Sequence, residues 1–203
     1  MSLFITFEGA DGCGKTTQIE LLNKYLQEKG FKTLVTREPG AKGLGEKLRE
    51  ILLNYDGEVS PNCESFLFLA DRAQHVDCVI KPALKDGVIV LCDRHTDSTV
   101  AYQGYGRQLD IAQIKKLNEI AVNGLKPDLT IVFDIDIETS MQRVGKTKDR
   151  MESAGMDFFN RVRNGYLAIA KEEPNRVKVI NSADTIERIH NQVVELVEKT
   201  VNK

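Results

Sequence analysis

The sequence has no excess of basic residues. Its 28 lysines and arginines are balanced by 30 aspartates and glutamates, which leaves a formal net charge of -2. A protein that holds nucleic acid through its phosphates needs surplus positive charge, because each phosphate contact neutralises an anion. The composition therefore argues against a nucleic acid partner.

Long apolar runs are also missing. The longest, such as residues 88–92 and 129–133, are far shorter than the roughly 20 residues that a membrane-spanning helix needs. The chain enters a strand-like apolar run at once, without the basic region and cleavage site of a signal peptide. We therefore expect a soluble, cytoplasmic protein with no membrane partner.

The cysteines show no CxxC pair. In a reducing compartment, cysteines scattered in this way are predicted to be free thiols, not a disulfide set or a zinc site. Their positions are Cys13, Cys63, Cys78 and Cys92.

Short β-rich runs alternate with longer segments of helical period. This alternation is typical of a parallel sheet covered by helices, and 203 residues with 41% hydrophobic content suffice for one core. We predict the α/β class, with a five-stranded parallel sheet flanked by helices in a single domain over residues 1–203. The predicted strands are residues 4–7, 33–36, 88–93, 129–134 and 177–181, and the main predicted helices are residues 15–29, 60 to about 82, and 183–201.

A phosphate-binding motif follows the first predicted strand. Residues 9–16 fit G-x-x-x-x-G-K-[ST] and precede a predicted helix, which is the context that this P-loop motif requires. The loop amides and the helix N-terminus would face the β- and γ-phosphates of ATP together with the catalytic Lys15, while the Thr16 hydroxyl would bind Mg²⁺. The predicted ATP-binding residues here are Gly9, Ala10, Asp11, Gly12, Cys13, Gly14, Lys15, Thr16 and Thr17.

An acid ends the third predicted strand. Asp93 precedes Arg94 and His95, and ligands of parallel α/β sheets gather outside the carboxyl ends of the strands. A carboxylate at this edge can hold Mg²⁺ or its waters. We predict that Asp93 and Thr16 form the metal site and that Asp93 takes part in catalysis.

Switch GTPases are the main alternative from another functional class. They need a D-x-x-G and an N-K-x-D outside the P-loop, whereas the only D-x-x-G here is residues 11–14 inside it, and no N-K-x-D occurs. One P-loop with arginines spread over several loops favours a nucleotide kinase, which must hold two anionic substrates together.

Five segments in register resemble the motifs of the bacterial thymidylate kinases. They are residues 7–17 (FEGADGCGKTT), 36–40 (TREPG), 93–95 (DRH), 101–104 (AYQG) and 158–161 (FFNR). The resemblance covers almost the whole chain. It implies a nucleoside monophosphate kinase that moves the γ-phosphate of ATP to dTMP with Mg²⁺, and it implies a homodimer.

The resemblance also assigns roles in binding dTMP. Arg37 would grip its phosphate, a role suited to a planar bidentate donor, and the catalytic Arg94 would bridge the phosphates of both nucleotides. Phe68 would stack on thymine while Arg72, one helical turn later, donates to a thymine carbonyl. The remaining expected contacts are Asp11 to the 3′-hydroxyl, Tyr102 beneath C2′, and Thr99 and Gln103 in the same cavity.

A lid over ATP is expected at about residues 143–155, because residues 145–150 resemble the mobile lid of the family. The variable P-loop positions 10–13 contain no lysine or arginine. The resemblance therefore implies that Arg150 of the lid supplies the positive charge for catalysis, and that Arg143 also lies near ATP. Two alternatives remain open: a kinase for another nucleoside or nucleotide, such as deoxyuridylate, and a non-catalytic P-loop nucleotide-binding protein.

Overall fold

Five strands form one parallel sheet. A computed structural model describes residues 2–143 and 154–201, and its strand order is β2-β3-β1-β4-β5 with every pair parallel. The predicted fold class is confirmed. The strands are β1 Leu3–Glu8, β2 Thr33–Arg37, β3 Ile89–Asp93, β4 Leu129–Asp134 and β5 Val177–Asn181.

The helices cover both faces of the sheet. Their bounds are α1 Lys15–Glu28, α2 Leu44–Asn54, α3 Pro61–His75, α4 Lys81–Lys85, α5 Thr96–Thr99, α6 Ile111–Val122, α7 Ile137–Arg143, α8 Met156–Glu172 and α9 Ile186–Val201. Leu22 of α1 and Val193 of α9 pack with Ile5 of β1 on one face. Val162 of α8 packs with Val132 of β4 on the other, because successive strand residues point to opposite faces.

The helix predicted from residue 60 continues beyond Pro82 to Lys85. The Ser60 hydroxyl accepts from the amide of Cys63, as expected of an N-cap. A π-helical stretch, Val76–Ile80, joins α3 to α4, and Pro82 falls in the first turn of α4, directly after this stretch. A second π-helical stretch, Val100–Gly106, follows α5.

The carboxyl ends of the central strands meet at one edge of the sheet. Phe7 of β1 and Arg37 of β2 are both in register with Asp93 of β3. The residues that follow β1 and β3 therefore converge on the same edge. Within the described part of the chain, no helix has both the length and the apolar character needed to cross a membrane.

Candidate active site

A cavity of about 260 Å³ opens at this edge of the sheet. It brings together every residue predicted to bind dTMP, and both residues predicted to bind the metal. Those residues are Asp11, Thr16, Arg37, Phe68, Arg72, Asp93, Arg94, Thr99, Tyr102 and Gln103. The wall also contains residues that no sequence pattern predicted, namely Glu38, Pro39, Arg49, Leu53 and Ser98.

The P-loop connects β1 to α1. Gly9 has φ of 137° and its backbone lies so close to β4 that a Cβ would be 2.6 Å from the carbonyl oxygen of Phe133. The Lys15 side chain is only 6% exposed, and its Nζ donates to the carbonyls of Gly9 and Ala10 at 3.2 and 3.1 Å. The loop therefore closes around the lysine. Thr16 and Thr17 are exposed in the first turn of α1.

A buried oxygen supports the predicted metal site. Oδ1 of Asp93 is enclosed and has no hydrogen-bond partner among the described residues. Asp93 and Thr16 line the same cavity, and carboxylate and hydroxyl oxygens are the hard ligands that Mg²⁺ prefers. These two residues fit a magnesium ion.

Arg94 is held from several sides. It has a left-handed backbone with φ of 69°, and its Nη2 donates to Asp11 at 2.8 Å and to the Tyr102 hydroxyl at 3.1 Å. Its Nη1 donates to the Tyr166 hydroxyl at 3.1 Å. Burial opposes ionisation of Asp11, but Arg94 and then Lys15 hold the pKa of this carboxyl at about 2. The guanidinium is therefore positioned by the protein itself.

Glu8 lies behind Arg94 at the end of β1. Its carboxylate accepts from the His95 amide at 2.8 Å, the Ser98 hydroxyl at 2.6 Å and the Tyr166 hydroxyl at 3.0 Å. Burial and then the charge of Asp97 raise the pKa of Glu8 to about 7. Because Ser98 and Tyr166 also contact Arg94, this acid supports the arginine through two hydroxyl groups.

Arg37 and Arg49 bring further positive charge to the cavity. Arg37 is exposed at the end of β2, and its guanidinium pairs with no group in residues 2–143 and 154–201. Arg49 projects from α2, and its Nη1 donates to the Pro39 carbonyl at 2.8 Å. A free guanidinium beside a fixed one suits an anionic ligand.

Arg72 is more deeply embedded than its predicted contact with thymine requires. It is 2% exposed, and its Nε donates to Glu38 at 2.8 Å while its Nη2 donates to the His95 carbonyl at 2.9 Å. Its Nη1 donates to Thr99 and to Asn118, both at 2.6 Å. A guanidinium has five N–H donors, so one N–H of Nη2 remains for a ligand.

Glu38 is the acceptor around which this wall is built. Besides Arg72 it contacts Nδ1 of His75 at 2.9 Å and Nδ1 of His95 at 3.0 Å. Burial opposes its ionisation, but His95 and Arg72 hold the pKa of Glu38 well below its usual range. Phe68 completes the wall beside this network, half-buried on α3.

The predicted lid falls largely outside the described residues, which omit 144–153. Arg150 lies in that part of the chain. Arg143 is exposed at the end of α7 and is not among the described residues that line the cavity. Both roles stay predictions.

The parallel sheet, the P-loop after β1 and the arginine-lined cavity beside it define a P-loop kinase of the nucleoside monophosphate kinase fold. A family model described as "Thymidylate kinase" matches residues 7–193. The chain belongs to the thymidylate kinase family.

Individual relatives agree over nearly the full chain. The thymidylate kinase of Geotalea daltonii is 48% identical over 197 residues, which are 92% of each chain. That of Pelotomaculum thermopropionicum is 47% identical over 203 residues, covering 98% of this chain and 94% of that protein. The crystal structure of thymidylate kinase from Ehrlichia chaffeensis is similar with a TM-score of 0.81, at 38% identity and with 97% and 98% coverage.

Replacing Arg72 by alanine is expected to lower the free energy of unfolding by about 3–5 kcal/mol, because buried Glu38 loses a charged partner. Urea denaturation followed by circular dichroism measures the effect. Lys24→Ala is the control, since its ion pair with Glu28 is exposed and contributes only about 0–1 kcal/mol. An equal decrease in the free energy of unfolding in the two variants would show that the charge of Arg72 does not stabilise the fold.

The raised pKa of Glu8 makes stability depend on pH. Between pH 4.5, the ordinary value, and pH about 7 the folded protein binds more protons than the unfolded chain, so this carboxyl destabilises the fold increasingly as pH rises. Glu8→Gln has no such penalty. We expect the stability of Glu8→Gln relative to the parent to rise by about 1–3 kcal/mol from about pH 5 to about pH 8. Urea denaturation at each pH tests this, and a constant difference contradicts it.

Proposed function

We propose that this protein transfers the γ-phosphate of ATP to dTMP, giving dTDP and ADP. The observation that carries the proposal is a single cavity that joins Thr16 of the P-loop to four arginines and to the aromatic ring of Phe68. Arg37 and Arg94 would hold the acceptor phosphate, and Phe68 would stack on the base. A donor site and an acceptor site that share one cavity are what direct phosphoryl transfer requires.

Catalysis in this proposal comes from positioning and from charge. The P-loop amides and Lys15 would bind the phosphates of ATP, and the loop from Gly9 to Thr17 would surround these phosphates. Arg94 lies between the donor and acceptor sites, already oriented by Asp11 and Tyr102. Because its charge needs no rearrangement during the reaction, it can stabilise the transferring phosphoryl group.

Magnesium is the proposed cofactor. Thr16 and Asp93 would hold it, directly or through water. A magnesium ion held by these residues would supply positive charge that offsets the negative charge developing on the phosphates of ATP. The support from this chain is the enclosed, unpartnered Oδ1 of Asp93 on the cavity that Thr16 also lines.

Selection of thymidine over other nucleosides would come from the remaining wall. The last N–H of Arg72 would meet a base carbonyl, with Thr99 and Gln103 beside it. Tyr102, buried and bound to Arg94, would lie beneath C2′, where a ribose hydroxyl would clash. Asp11 keeps one carboxylate oxygen for the 3′-hydroxyl, since only its Oδ1 contacts Arg94.

The proposal extends to a homodimer. The family resemblance implies one, and the large apolar side chains of Phe66 on α3 and Ile120 on α6 are 58% and 70% exposed. Homodimer interfaces have apolar cores of this kind. The absence of nucleic acid partners and the cytoplasmic location stay predictions.

Sedimentation velocity tests the dimer. We expect the parent to sediment at twice the mass of one chain and Phe66→Asp to shift toward the monomer, because a charge cannot be buried in an apolar interface without a partner. Ile186→Asp is the control, since Ile186 is equally exposed but lies on α9. A monomeric parent, or a dimer that tolerates Phe66→Asp, refutes this arrangement.

The proposed activity has a direct test. Coupled ADP release is measured with dTMP, dUMP, dCMP, AMP, GMP and CMP, with Mg²⁺ and after its removal by chelation. We expect dTMP to give the highest kcat/KM and chelation to abolish turnover. A higher kcat/KM for AMP, GMP or CMP than for dTMP would contradict the proposed dTMP kinase activity and favour a kinase for another nucleotide. No turnover with any acceptor favours a non-catalytic P-loop protein.

Arg150 supplies the catalytic charge in this proposal. An arginine that reaches the transferring group in the closed site can contribute about 10³–10⁵ in kcat. Steady-state kinetics of Arg150→Ala should show kcat reduced by about a hundredfold or more, with little change in either KM. A kcat within about threefold of the parent, the result expected of a solvated surface charge, would redirect attention to Arg143 or to Lys146 and Lys148.

A further inference from the structure

The side-chain amide of Gln103 has a defined orientation in the cavity wall. Gln103 is 1% exposed, and its Nε2 donates to Oε1 of Glu64 at 2.9 Å. An ionised carboxylate offers acceptors only, so the amide group that faces it has to be the NH₂. Glu64 thus determines which end of the amide points away from it.

Glu64 is itself immobilised. It is buried on α3, and Arg107 binds both of its carboxylate oxygens, with Nε at 3.1 Å from Oε1 and Nη2 at 3.0 Å from Oε2. The guanidinium of Arg107 in turn lies over the ring of Phe158 at 4.7 Å. Bidentate pairing of this kind fixes geometry as well as charge. The acceptor seen by Gln103 is therefore rigid.

The other end of the amide is available to a ligand. Oε1 of Gln103 accepts no hydrogen bond from the described residues and is not among the enclosed polar atoms without a partner. Gln103 lines the same cavity as Arg72 and Phe68. The wall next to Phe68 consequently presents an acceptor from Gln103 and a donor from Nη2 of Arg72.

We propose that the Glu64–Arg107 pair determines base specificity by fixing Gln103 as a hydrogen-bond acceptor toward position 3 of the pyrimidine. This proposal rests on the proposed dTMP kinase activity. Thymine and uracil carry an N–H donor at position 3, flanked by two carbonyls that can accept from Arg72. Cytosine carries a lone pair there, so two acceptors would face each other and both would stay unpaired.

Glu64 and Arg107 act in this proposal as positioning residues, because neither lines the cavity. Leaving a buried acceptor unpaired reduces binding by about 10- to 100-fold. Rotating the amide would repair the mismatch with cytosine, but rotation would place Oε1 of Gln103 against the carboxylate of Glu64. The ion pair therefore keeps the wrong base unfavourable.

The first part of the test uses the wild-type protein. Steady-state kcat/KM is measured for dTMP and for its N3-methyl analogue, which keeps both carbonyls of the base but has no N3–H. We expect the analogue to be about 10- to 100-fold poorer, because Oε1 of Gln103 loses its donor. An analogue within about twofold of dTMP overturns the proposal. A wild-type protein with no activity on dTMP overturns the proposed function instead, so the two failures are distinguishable.

The second part uses Glu64→Met, which keeps the length of the side chain and frees the amide to rotate. The ratio of kcat/KM for dTMP to that for dCMP should fall at least about tenfold relative to the wild type. Glu28→Met, an exposed position on α1, is the matched control and should keep the wild-type ratio. A ratio within about twofold of the wild type in Glu64→Met overturns the proposal. If that variant shows no cooperative thermal transition, Glu64→Gln is measured in the same way and decides, because a neutral amide can face either end of the Gln103 amide and should lower the ratio at least about tenfold.

Discussion

A carboxylate buried at the floor of the cavity needs positive charge beside it, and much of the site follows from this requirement. Glu38 obtains its partners from Arg72, His75 and His95. Arg72 also binds Thr99 and Asn118. The guanidinium that neutralises Glu38 therefore also links the end of β2 to α3, α5 and α6. An uncompensated buried charge is strongly destabilising. The shape of the cavity wall and the stability of the fold therefore depend on the same contacts.

A second buried acid organises the side of the cavity that contains Arg94. Glu8 binds Ser98 and Tyr166, and both hydroxyls contact Arg94. Arg94 is thereby oriented by groups that belong to β1, α5 and α8. Charges fixed in advance need no reorganisation when substrate charge develops, which is the main source of electrostatic catalysis. Arg94 has a left-handed backbone, which is strained for a residue with a side chain. These contacts stabilise it in that conformation.

The sequence predicted those parts of the site that depend on local order. The P-loop lies within residues 9–16, and Asp93 and Arg37 end strands of a parallel sheet, so motif and topology suffice to bring them together. The two hydroxyl partners of Glu8 are 90 and 158 residues away in the chain, and no spacing rule connects them to Glu8. Arg49 likewise lies on an amphipathic helix, where its position in the sequence does not distinguish it from the other polar residues of that helix. Such residues are found only from the packing of α2, α5 and α8 around the sheet.

The proposed function requires a cavity that is preformed for a thymine nucleotide. A crystal structure of the protein with dTMP tests this requirement most directly. We expect thymine to stack on Phe68, the phosphate to contact Arg37 and Arg94, and Oε1 of Gln103 to lie at about 3 Å from N3. We also expect the pairs Arg72–Glu38 and Arg94–Asp11 to stay intact. A nucleotide bound outside this cavity, or one that enters only after either pair has separated, would contradict a preformed site.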